Sequence, residues 1–218
     1  ELIMIKGFIA GIVIANGFEW FAHKYILHGT HRTGKPRFSP VPHSMKSHWE
    51  HHREVRKQSF FDDGYVEGLS NWRTKNEVIS LAVVVAAFGT AFLPVSKGMA
   101  LSTVYCACNY YYIHRRSHLE PDWAKKTIPW HYDHHMNSNQ DANWCVTKPW
   151  FDYIMGTRVV SSIDLKEQNP LGITLPKPVA KWLSKTVEQY FPVKMLAAEN
   201  IKMLETEVQA DNRVDALS

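Results

Sequence analysis

His48-Trp-Glu-His-His52 and His131-Tyr-Asp-His-His135 are one pattern, His-x-x-His-His, written twice in the same chain. On an α-helix, residues three and four apart share a face, so each copy turns three imidazoles to one side. Two further pairs, His23-x4-His28 and His114-x3-His118, bring ten of the twelve histidines into four groups. Surface histidines that bind metal weakly are the plain alternative, but a repeated triplet with two spaced pairs has the grammar of a ligand set.

Structural zinc closes with four tetrahedral ligands, often thiolates, whereas ten imidazoles over two ions give roughly five each and leave a position open. Iron fits that count. Copper, nickel and zinc also accept imidazole, so ligand type alone leaves the metal open. Soluble di-iron bundles use Glu-x-x-His, and no Glu here is followed by His three residues later; this would be an all-nitrogen class.

The surrounding chain bounds the context. Its 218 residues suggest a single domain, 1–218. Three cysteines without a Cys-x-x-Cys give no disulfide framework or zinc ribbon. A net charge of +4 from scattered basic residues argues against nucleic acid. Apolar runs at 2–18, interrupted only by Lys6 and Asn16, at 78–95 and at 98–113 are each near the lower limit for crossing a bilayer. If all three cross, every Lys and Arg except Lys6 and Lys97 falls on the side of the four histidine groups, which the positive-inside rule makes cytoplasmic. The expected fold is therefore all-α: a membrane-embedded helical protein with a cytoplasmic histidine-rich di-metal site.

The first run lacks a basic n-region and flows into the first histidine pair, so it is expected to be a retained anchor rather than a cleaved signal peptide. Residues 29–42 read as a loop and 57–76 as polar connection. Along 179–191, apolar and charged residues alternate as on an amphipathic helix, interfacial or core-facing. A second C-terminal helix is expected over 194–210, before a charged end.

The four groups, together with the stretch from Trp130 through Asn143-Trp-Cys-Val-Thr-Lys-Pro-Trp-Phe-Asp-Tyr-Ile-Met-Gly-Thr157, resemble the fatty acid hydroxylase/sterol desaturase superfamily of membrane di-iron oxygenases over about residues 23–158. The first box, Ala22-His-Lys-Tyr-Ile-Leu-His-Gly29, also resembles that of bacterial carotene hydroxylases. The resemblance implies one ion on His23, His48, His51, His131 and His134 and another on His28, His52, His114, His118 and His135, each triplet giving its i and i+3 imidazoles to one ion and i+4 to the other. His31 and His43 match no box.

The implied chemistry is hydroxylation of an unactivated carbon of an acyl chain or similar lipid. Desaturation and carotenoid hydroxylation use the same metal core, and a non-catalytic metal-binding membrane protein is the reading outside enzymology. Two iron ions and dioxygen are implied, with zinc expected to replace iron in purified protein. No cytochrome-like domain accompanies the boxes, so a separate donor of ferredoxin or cytochrome type, with its reductase, is expected to supply electrons. Carboxylates and amides should orient the imidazoles through their second nitrogen; Glu50, Asp133, Asn139, Asp141, Asn143 and Asp152 are near enough in sequence to do so.

Overall fold

The computed structural model describes residues 2–29, 41–160, 170–191 and 194–195. Nearly all regular structure among them is helical. Helix α1 (Leu2–Phe21) continues into a π-helical segment (Ala22–Leu27). Next come α2 (Pro42–Lys57), α3 (Gly64–Glu67), a 3-10 turn (Gly68–Ser70), and the long pair α4 (Trp72–Phe92) and α5 (Lys97–Leu119). Short helices α6 (Pro121–Thr127), α7 (Pro129–Met136) and α8 (Trp150–Ile154) follow, then α9 (Lys177–Tyr190).

Two stretches, Leu2–Leu27 and Trp72–Phe92, are long and apolar enough to cross a membrane. Their side chains show the same thing: Ile3, Ile5, Ile9 and Val13 of α1 and Ile79 and Val83 of α4 are all exposed, whereas a helix serving a water-soluble core would bury such residues. The third apolar run lies within α5, which does not reach that apolarity. This helix packs against both α1 and α4 and carries more polar residues.

Packing of α1 on α5 depends on missing side chains. A Cβ on Gly98 would sit 2.0 Å from the Met4 carbonyl oxygen, and one on Gly11 would meet the Ser102 hydroxyl. Without a hydrophobic force between helices in lipid, such small-residue contacts let backbones approach and gain dispersion. Gly98→Ala pushes a methyl into backbone that cannot step aside, and overpacking of this kind costs about 1–3 kcal/mol. A thermal melt in detergent should show Gly98→Ala several degrees below the parent, while Gly89→Ala, whose nearest neighbour lies at 3.4 Å, stays close to it.

The 95–98 turn meets the start of α1, so the far ends of the three long helices lie together. Their other ends carry His23, Glu77 and His114. Ser96 caps α5 through the Met99 N–H, and Asn71 caps α4 through the Arg73 N–H.

The tail differs from its sequence reading. Helix α9 forms over much of the amphipathic stretch. The 194–210 segment does not begin as helix: Lys194–Met195 (β2) pairs in parallel with Val159–Val160 (β1), because a buried strand offers unpaired backbone groups that local helix propensity cannot anticipate. Residues 196–210 lie outside the described residues, as does the 30–40 part of the expected loop.

Candidate metal centre

Each histidine group sits on a different local device. In an ordinary α-helix residues five apart diverge, but the π segment, closed by the His28 N–H to His23 carbonyl bond, brings His23 and His28 to one side. Helix α5 presents His114 and His118 one turn apart, and α2 and α7 carry the two triplets. All ten imidazoles are less than a tenth exposed. His43 lies at the surface against Trp72, and His31 lies outside the described residues.

The ligand atoms form two sets, each within 4.8 Å: His23, His28, His48, His52 and His134, and His51, His114, His118 and His135. His131 stands beside the second, its Nε2 3.2 Å from that of His118. This corrects the expected allocation. His28 and His52 join His23, whereas His51 and His131 leave it; in both triplets i and i+4 stay together and i+3 crosses over. At about 100° per residue, i and i+4 differ by roughly 40° around the helix and i and i+3 by roughly 60°, so the closer pair shares a set.

Outer partners fix the rings. The Nδ1 of His51 lies 2.6 Å from an Asp62 carboxylate oxygen, and that of His114 lies 2.6 Å from Glu77 and 2.8 Å from the Tyr65 hydroxyl. Backbone carbonyls receive three more: Trp144 for His23, Phe60 for His118 and Ala142 for His134. Arg73 holds Asp62 at 2.7 Å. In these five rings, with Nδ1 donating outward, Nε2 is left as a bare lone pair.

Those lone pairs converge. Nε2 of His23 is 3.0 Å from that of His48, and Nε2 of His134 is 3.2 Å from those of His28 and His52. His51, His114 and His135 turn Nε2 towards the other ligand atoms of their set without a hydrogen-bond partner among the described residues. Buried acceptors without donors, as at His51 and His114, are costly; a cation among them removes that penalty. The residues fit bound metal.

Burial, with neighbouring imidazoles adding to it, holds His48, His51, His52, His131 and His135 well below the ordinary histidine value, and burial brings His134 down to about 4. All are neutral near pH 7, the form that ligates metal. Because the folded-state values lie below the unfolded 6.5, the stability linked to them is full above pH 6.5 and is lost as pH falls, for His134 through about 4. Metal-free protein should therefore melt progressively lower across that window; a flat profile would contradict neutral burial.

Of the residues expected to orient the imidazoles, Asp152 and Asn143 brace the loop instead. Asp152 accepts from the Trp144 and Cys145 N–H groups at 2.8 and 2.9 Å, and Asn143 ties both backbone groups of Val159. They thereby hold the stretch that supplies the Ala142 and Trp144 carbonyls. Asp133 pairs with Arg158, and Glu50 with Lys46. The orienting side chains missed in sequence, Asp62, Tyr65 and Glu77, come from the supposed connection and the start of α4. The one visible hint was acidic residues set among aromatic and apolar neighbours.

A cavity of about 680 Å³ runs between α1, α4 and α5. Phe88 and Phe92 line it, and so do His23, His48, His51 and His114.

A mainly helical frame that gathers ten buried imidazoles into two adjacent sets has the geometry of a metal centre. Residues 8–157 match the family described as Fatty acid hydroxylase, and the chain belongs to this family, part of the fatty acid hydroxylase/sterol desaturase superfamily. No curated protein and no solved structure gives a match.

Proposed function

We propose that this chain is an integral membrane di-iron monooxygenase that hydroxylates an unactivated C–H bond of a fatty acyl chain or similar lipid. The observation that carries this reading is the apolar cavity meeting inward-facing imidazoles of both sets. Two bound iron ions would supply dioxygen activation, using electrons from a separate ferredoxin- or cytochrome-type donor and its reductase.

All ten histidines, His131 included, are assigned as ligands. Asp62, Glu77 and Tyr65 hold two of the rings by Nδ1 and keep Nε2 turned inward. The walls of α1, α4 and α5 exclude water and lay an apolar chain against the cluster. The placement of basic residues supports a cytoplasmic histidine end.

With iron, donor and a lipid extract, turnover under labelled dioxygen should yield a product heavier by one labelled oxygen. A product lacking two hydrogens and gaining no oxygen would move the assignment to a desaturase. Absence of substrate-dependent oxygen consumption would remove it from the enzymes.

A further inference from the structure

Asn16 is a polar side chain in the apolar body of α1, 4% exposed, and it lines the cavity. Its Nδ2 donates to the Lys148 carbonyl at 2.9 Å. A carbonyl can face only the amide nitrogen, so this bond fixes which way the carboxamide points. Its Oδ1 is left buried without a partner among the described residues. The Lys148 ammonium bonds the Gly172 carbonyl and the Thr147 hydroxyl and N–H bond Glu19, and none of them is paired with Oδ1.

A buried acceptor with no donor is costly, and a polar group inside a membrane helix is commonly functional. Holding the Lys148 carbonyl requires only an N–H and leaves Oδ1 without a role. Asn16 precedes His23 by seven residues, two turns on the same face, which sets it roughly 10 Å along the helix from the cluster.

We infer that Asn16 Oδ1 accepts a hydrogen bond from the substrate, so the natural substrate is a lipid bearing a hydroxyl or amide N–H away from the carbon attacked, and not a plain hydrocarbon chain. This rests on the reading of the cavity as the substrate site. Asn16 thus acts as a specificity-determining residue.

The test is equilibrium binding to full-length, zinc-loaded protein in nanodiscs, read by intrinsic tryptophan fluorescence, since Trp150 lines the cavity. Four probes of equal chain length are compared: a long-chain alcohol, its methyl ether, the N-alkylacetamide and the alkane. The alcohol, the amide or both should bind about tenfold or more tighter than the ether and alkane, the scale of one satisfied buried hydrogen bond. Which of the two prevails identifies the donor. Asn16→Leu should erase the preference while keeping alkane binding. Equal affinity of the parent protein for alcohol, amide and ether overturns the inference without any variant, as does an unchanged preference in Asn16→Leu. Failure of all four probes to bind, alkane included, overturns the substrate-site reading itself.

Discussion

His135→Ala should abolish activity and strip metal from the purified protein. His135 is fully buried where the two sets meet, its ring centroid 4.1 Å from that of His52, 4.9 Å from His51 and 4.8 Å from His118. Alanine removes an inward donor and leaves a void that no neighbour can fill with another nitrogen. Since loss of an outer partner alone costs about 10 to 100-fold, loss of a direct ligand should exceed that range. Elemental analysis alongside oxygen uptake checks this, with exposed His43→Ala as the variant expected to stay near the parent. Full metal content in His135→Ala would reject the ligand assignment.

The next largest effect belongs to the carboxylates behind the second set. Asp62→Asn keeps the shape but removes the charge shared by His51 and Arg73, and Glu77→Gln does the same behind His114. Each should weaken metal retention by about 10 to 100-fold, measured by competition with a chelator. The rings of the first set that are tied to the Trp144 and Ala142 carbonyls should be affected less, so metal should be lost unevenly. Uniform loss, or none, would mean that the carboxylates serve folding alone.

The spacing of the histidines made the helices and the cluster legible, because three- and four-residue intervals fix a shared face whatever the tertiary context. It left open which set each i, i+4 pair joins: packing against the π segment and α5 places His48 and His52 in one and His131 and His135 in or beside the other. The orienting carboxylates stayed hidden for a different reason. Nearness in sequence pointed to Asp152 and Asn143, but rings aimed inward present Nδ1 to whatever packs behind them, and there the chain has brought Asp62 and Glu77. Strand pairing of residues 194–195 was likewise invisible, since its partner is 35 residues upstream.

The crossing of His51 and His134 into the opposite sets has a consequence for assembly. Neither α2 nor α7 serves one set alone, so the two positions share both scaffolding helices. Ordering either helix for one bound ion would bring one or two ligands of the other set into place, which would couple two binding events through the chain rather than through contact between ions. Loading should then be steeper than for independent sites, with half-filled protein scarce at every point of a titration, much as a bolt thrown through two hasps closes both or neither.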